Sequence, residues 1–481
     1  MHTDVAAVAS GASVRTFQGN TQMKFKRSIS AGLALLALSS AAFAGGAKFP
    51  TEGVWRGEFT VDGDPIPFNF EVKGKDVKDA EFTLLNGTRR DLFEVVRISD
   101  DTISVPMNTY DAALLIKIVD GKTLTGEYQD LVPNRKGARN LPFRAEHGKS
   151  WRFIEPGKEI APEADLSGKW AITQADKSSI NVGGKAVANA QEIANRRGQV
   201  ALLKQEGNRL TGVFMTSVGD SRELEGAIQG NRFYLSHFSG PSPRYIKGTI
   251  DEDGNIEGAS GSGIYNVVKF EGRKDPNAEL ADPYKLTFLK DGQTRIDFTF
   301  PDLEGKPVSL SDDKYKGKVV IVEVIGTWCP NCTDQTRFLA PWFKQNRHRG
   351  VEAIAIAFEQ EDDFAYFQKT LGKFKGFFDI QYDLVFGGIA DKKVATEKLK
   401  GLNYMAAFPT TFIIDRRGEV REIYTGFTGT ITGKYYDDYV TKFNGLLDQL
   451  IAEPDPFDQK RLTSAPSDAD SGSAGRTATA N

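Results

Sequence analysis

Cys329 and Cys332 are the only cysteines in the chain, and the spacing Cys-Pro-Asn-Cys puts both on one helical turn. Two thiols so placed can bind a metal, anchor a haem, staple a loop or exchange electrons. A zinc site needs four ligands, and the four histidines, His2, His147, His237 and His348, supply no second half-site at suitable spacing. A c-type haem requires His after the second cysteine, where the chain has Thr333. A bridge closing so short a loop removes little entropy from the unfolded chain, which makes it a poor staple. A redox dithiol is the chemistry that remains.

The elements around the pair fit that chemistry. Residues 319–325, Val-Val-Ile-Val-Glu-Val-Ile, read as a buried strand, and Gly326-Thr327 break it just before Trp328-Cys329. Cys329 then stands at a helix N-terminus, where unpaired N–H groups and the helix dipole favour a thiolate. Glu323 interrupts the apolar run. If it faces the interior, desolvation raises its pKa and it can exchange a proton with Cys332; if period-two alternation turns it outward, it is a solvated side chain.

Strands and helices alternate around this segment, the pattern of an α/β domain. A leading hairpin is predicted around 296–300 and 308–310, followed by the central strand 319–325 and a helix from 329 to about 347. Beyond these come a strand at 352–358, a helix at 361–373, a looser stretch with a helix at 391–400, strands at 411–415 and 420–424, and a closing helix at 434–453. Upstream, from about 53 to 274, short alternating segments broken by Gly, Asp and Asn predict an all-β region, with Asp120-Gly121 and Asp253-Gly254 as hairpin turns. Gly53-Val-Trp55 is echoed by Gly168-Lys-Trp170, so two related units are read, 53–153 and 166–273, each resembling a lipocalin-like barrel or sandwich. Trp55 and Trp170 are assigned to their cores, 186–197 to a short helix, and 274–283 to a linker.

The pairing of Trp328-Cys-Pro-Asn-Cys332 with Ala407-Phe-Pro409-Thr-Thr-Phe-Ile-Ile-Asp415 about eighty residues later resembles the TlpA/ResA family of extracytoplasmic thiol-disulfide oxidoreductases, within the redoxin group. The resemblance covers about 286–454 and implies a thioredoxin fold. It implies that Cys329 attacks a substrate disulfide and Cys332 resolves the mixed disulfide, with Glu323 as the buried acid beneath the second cysteine. It also implies that Pro409 is a cis-proline opposite the dithiol, that the Phe408 backbone pairs with a substrate chain, and that Trp328 and Thr410 border that substrate. Relatives carry Glu and Pro where this chain has Gln335 and Arg337, so a proton relay falls to Glu323 or water. Asp334 is read as an acid suited to the first helical turn, and Glu359 to Asp363 as the solvated cap of the next helix. The Pro-Asn dipeptide brings no cation to Cys329, which predicts a moderately reducing couple. Two other functions stay open: a thiol peroxidase of the redoxin group, and a ligand-binding β module whose dithiol senses redox state.

Composition sets the remaining bounds. At 481 residues two or three domains are expected, and a net charge of −3 makes no electrostatic case for nucleic acid or an anionic membrane. Lys24 to Arg27, an apolar stretch over 31–42 and Ala42-Phe-Ala44 read as a secretory signal peptide, 23–44, beginning at an initiator Met23. That apolar stretch is shorter than the ~20 residues of a spanning helix, and no integral membrane segment is expected after cleavage. The resulting expectation is a periplasmic or secreted enzyme that needs no cofactor, acts on disulfide-bearing proteins and is re-reduced by a membrane electron donor. Residues 455–481, rich in Ser, Ala, Asp and Gly, are read as a disordered tail.

Overall fold

The structure is a computed structural model that describes residues 48–457 apart from 62, 134–139, 175–180, 183–184, 187–197 and 263–264. The signal segment, nearly all of the expected 186–197 helix and the tail beyond Phe457 lie outside the described residues. The chain folds as an all-β region followed by a thioredoxin-fold domain.

The all-β region is two antiparallel meanders of nine strands each. In the first, Gly53–Val61 pairs with both Asp64–Lys73 and Leu141–His147, while the end strands Arg89–Phe93 and Val96–Ser99 do not pair, leaving the sheet open. In the second, Gly198–Glu206 pairs with both Gly168–Gln174 and Arg209–Thr216, which closes the sheet into a barrel. The two Gly-x-Trp strands start alike. Gly53 and Gly168 hold φ of 120° and 122°, a conformation suited to glycine, and the Trp55 and Trp170 indoles donate to the Thr51 and Leu166 carbonyls four residues back. Both rings are buried, and a fully enclosed indole needs such an acceptor.

In the C-terminal domain the strands β1 (Val319–Ile325), β2 (Val351–Glu359), β3 (Asp383–Ile389), β4 (Thr410–Ile414) and β5 (Val420–Thr425) form one sheet in the order β3-β2-β1-β4-β5. β1 runs parallel to β2 and antiparallel to β4. Helices α1 (Pro330–Asn346), α2 (Phe364–Phe378), α3 (Lys392–Lys398) and α4 (Lys434–Ala452) flank it. Every β1 residue is buried, as expected of a strand covered on both faces. Val319, Ile321 and Ile325 join the core that holds Phe343 of α1 and Phe443 of α4, whereas Val320, Val322 and Val324 join the opposite core.

Two elements differ from expectation. The helix predicted at 361–373 starts later, because Asp363 is its N-cap and accepts from the Tyr366 N–H, and it continues to Phe378. The stretch read as loose contains β3, whose Gly387-Gly388 pair disguises a strand.

Candidate functional site

β1 delivers the chain to Gly326 with its last residues buried, and α1 begins at Pro330 with Cys329 as its N-cap. The Cys329 sulfur accepts the Cys332 N–H at 3.4 Å and lies 3.6 Å from the Phe408 carbonyl oxygen. Both thiols are free; Cys329 is 6% exposed and Cys332 wholly buried. Burial pushes the Cys329 thiol up. Hydrogen bonds from the Cys332 thiol and from the Cys332 and Asn331 N–H groups outweigh that, with help from the Arg222 charge, and hold it below the ordinary thiol range. Cys332 goes the other way: burial, the hydrogen bond to Cys329, and the Cys329 and Glu323 charges all push it well up. One thiol is therefore poised to ionise and the other to stay protonated.

Period-two alternation on β1 puts Glu323 on the same face as Val319, Ile321 and Ile325, the face packed under the two cysteines. The carboxyl is fully buried, and burial raises its pKa to about 8 against the pull of a Tyr382 hydroxyl that donates to one oxygen at 3.1 Å. Its other oxygen is buried and has no hydrogen-bond partner among the described residues. The geometry excludes the solvated alternative for this side chain.

The loop before β4 forms the opposite wall. Phe408-Pro409 is a cis peptide. The Phe408 ring meets Trp328 edge-on at 6.0 Å between centroids, and the Trp328 indole donates to the Phe358 carbonyl. Trp328 and Phe408 are partly buried, and Pro409 is buried. Thr410 is fully buried with its hydroxyl donated to the Ala407 carbonyl, so only its backbone is offered to this face. Gln335 is buried on α1, and its amide donates to the Thr411 hydroxyl, tying α1 to β4.

Three readings of the sequence are corrected here. Glu359 is not solvated: it ends β2 wholly buried and accepts both the Thr327 N–H, at 3.0 Å, and the Thr327 hydroxyl, at 2.7 Å, bracing the turn that leads to Cys329. Burial lifts its pKa to about 7 against those two hydrogen bonds. Asp334 is more than a helix-favouring acid. It receives the Arg222 guanidinium at 2.8 Å and the Arg89 guanidinium at 3.1 Å, both from the β region. Nor is the dithiol without a cation. Arg222 also donates to the Pro330 carbonyl between the two cysteines, at 2.8 Å, and to the Tyr110 hydroxyl, which in turn donates to Thr333 of α1. Arg222 is 5% exposed.

The β region thus forms part of the site. Gly219, beyond the strand Arg209–Thr216, bridges to Phe427, and the Gly429 N–H donates to Asp220. The Asn331 amide of the dithiol turn lies against Gly219, and Val218 against Gly426. Composition or spacing gives no signal for Arg222, Tyr110 or Tyr382, since each reaches the site only through tertiary packing. Among the described residues no cluster of side chains suits a metal ion, and no helix is long and apolar enough to cross a membrane.

The AhpC/TSA family model matches residues 292–423. A thiol-disulfide oxidoreductase ResA of Bacillus cereus (strain ZK / E33L) is 34% identical over 143 residues, which are 30% of this chain and 72% of that protein. The ResA of Bacillus subtilis (strain 168) is 28% identical over 183 residues, or 38% of this chain and 84% of that protein. Among solved structures, a thiol:disulfide interchange protein of the thioredoxin family from Chlorobium tepidum TLS covers 34% of this chain and 99% of its own length, at 20% identity and a TM-score of 0.26.

Proposed function

The chain belongs to the ResA family of thiol-disulfide oxidoreductases, and from that premise we propose that it is an extracytoplasmic disulfide reductase working on protein disulfides through Cys329 and Cys332. The observation that carries this reading is the placement of the two thiols across one helical turn, Cys329 at the N-cap 3.6 Å from the Phe408 carbonyl and Cys332 wholly buried behind it, which holds the first thiol down and pushes the second up.

In the proposed reaction the Cys329 thiolate attacks one sulfur of the substrate, and the substrate S–S bond breaks as a mixed disulfide forms. The departing substrate thiolate takes a proton. Glu323, ionised near neutral pH in part of the population, removes the proton from Cys332, whose thiolate then attacks the Cys329 sulfur and expels the second substrate thiol. The substrate gains two electrons, and the enzyme is left with a Cys329–Cys332 disulfide that a membrane electron donor re-reduces. The Phe408 carbonyl, 3.6 Å from the nucleophile, is suited to pair with an extended substrate backbone, and Trp328 shields the exchanging bond. The Ala42-Phe-Ala44 pattern supports export to the periplasm or medium.

Insulin reduction by the wild type and by Cys329→Ser tests the reading. The expectation is turnover in the wild type and its loss in the variant, with Cys332→Ser accumulating mixed disulfides in the native compartment. Peroxide consumption with no disulfide turnover would instead assign the chain to peroxidase chemistry.

A further inference from the structure

The closed barrel of the β region has two unlike ends. Toward one end its interior is packed by Trp170, Ile228, Phe233 and Ile250. At the other end a cavity of about 360 Å³ remains, with Phe214 and Phe270 in its apolar wall and Arg244, Gln199, Ser260 and Asn331 among its polar lining. Asn331 is no part of the barrel: it is one of the two residues between the cysteines, so the dithiol turn lies across the barrel mouth.

Arg244 is the unusual member. Alternation along Arg244–Ile250 points it inward above Ile246 of the barrel core, one layer nearer the mouth. Arg244 is partly buried, its pKa pushed down by burial against the pull of the Asp220 charge, and a guanidinium so placed ordinarily has a carboxylate or several carbonyls hydrogen-bonded to it. The Arg244 side chain makes no hydrogen bond or ion pair among the described residues, while its backbone pairs with His237 and Ser262 in the sheet. Asp220 lines the same cavity and its charge favours the Arg244 cation, but its oxygens accept the Arg222 N–H and the Gly429 N–H, both at 2.6 Å, and no hydrogen bond joins it to Arg244. The second guanidinium in the neighbourhood, Arg222, is already paired with Asp334. What remains is one planar fork of donors with no acceptor, at the rim of a cavity with apolar walls.

We infer that the barrel mouth is a binding site for a small organic carboxylate with an apolar body, its carboxylate received by Arg244 and its body lying against Phe214 and Phe270. The guanidinium fork matches a carboxylate in two parallel hydrogen bonds, a fit that a lysine or an amide does not provide. Barrel mouths with apolar walls and few convergent polar groups are recurrent ligand sites. Because Asn331 lines the same cavity, the occupant touches the turn that carries the dithiol, and its affinity is linked to the state of that turn.

Calorimetric titration of the reduced, full-length protein with octanoate and with octanol separates the head group from the chain. Octanoate is expected to bind the wild type at least about tenfold more tightly than octanol, the worth of one charge-assisted pair. Arg244→Met is expected to abolish that preference and Arg244→Lys to keep part of it, which guards against a variant that merely misfolds. Octanoate that fails to bind the wild type, or binds wild type and both variants alike, overturns the inference. The readout is heat of binding, so it stands apart from insulin turnover, and either result can fail without the other.

Discussion

Cys329 owes its acidity first to hydrogen bonds from Cys332 and Asn331 in its own turn and then to the charge of Arg222 from far along the chain, and the sign of that distant contribution can be tested. Arg222 favours the thiolate; Asp334, paired to Arg222 at 2.8 Å, screens it. Arg222→Met should move the pH midpoint of Cys329 alkylation upward by roughly half a unit to one unit. Asp334→Asn should move it downward, because the guanidinium charge is then less neutralised. Both variants break a buried pair, which costs about 3–5 kcal/mol of stability, so loosening alone would shift the two midpoints in the same direction. Iodoacetamide rates across pH decide between the outcomes. Glu323 makes a second residue-scale prediction. Its pKa stands near 8 in the folded chain against 4.5 as the ordinary value, so across that window the native state keeps a proton that the unfolded chain has released. Stability therefore falls as pH rises through the window, by about 1.4 kcal/mol per unit at most. Glu323→Gln should flatten that slope in denaturant melts and slow insulin reduction by roughly 10²-fold, the usual weight of a positioned acid–base group.

At the scale of elements, the dithiol turn is held from two sides, and the two sides were unequally legible. Strand, turn and helix start could be read from residues 319–332, because a β-branched run, a Gly-Thr break and a Cys-x-x-Cys pair each carry a local physical meaning. Alternation also put Glu323 on either the inner or the outer face, and burial of the whole of β1 selected the inner one. Glu359 was open to the same argument, since it closes the apolar strand Val351–Glu359, but its acidic neighbours made it look like a helix cap. The hold from the β region left no such trace. Arg222 adopts φ of +60°, and its N–H is bonded to Asp220, a turn that aims its guanidinium at α1 and that no periodicity announces. The segment carrying it, Val218 to Arg222, meets Gly426, whose φ of +84° and lack of a Cβ let the Val218 carbonyl approach. Gly426→Ala sets a methyl against that backbone carbonyl in a conformation that disfavours L-residues. The expected result is partial release of the segment and a rise of severalfold in Cys329 alkylation at a pH above the thiol's midpoint, where loss of the Arg222 charge no longer changes the thiolate fraction, with unchanged far-UV circular dichroism. An unchanged rate would mean that the segment does not limit access to the thiol.

At the scale of the whole molecule, the β region and the redox domain meet over the reactive sulfur. The closed barrel supplies Gly219 and Arg222, the first sheet supplies Arg89, and Tyr110 joins them in reaching α1. Lys373 of α2 donates to the Met107 and Tyr110 carbonyls, and Lys369 pairs with Asp111, so a second helix is tied to the first sheet. With Cys329 only 6% exposed and Pro409 buried, a folded protein cannot seat an extended segment beside Phe408 unless this contact opens. A reagent of a few atoms needs much less room. Iodoacetamide should therefore alkylate Cys329 at least about tenfold faster, relative to a free-cysteine standard for each reagent, than a polymer-linked maleimide does, as expected where access depends on rare local opening. The contact rests on buried pairs such as Arg222–Asp334, which salt screens far less than exposed ones, so the ratio should persist in molar sodium chloride. A ratio near one at low salt would mean that the redox face already stands open in solution. A ratio that collapses only at high salt would move the hold from the buried Arg222–Asp334 pair to the exposed Lys369–Asp111 pair, whose lysine is largely solvated.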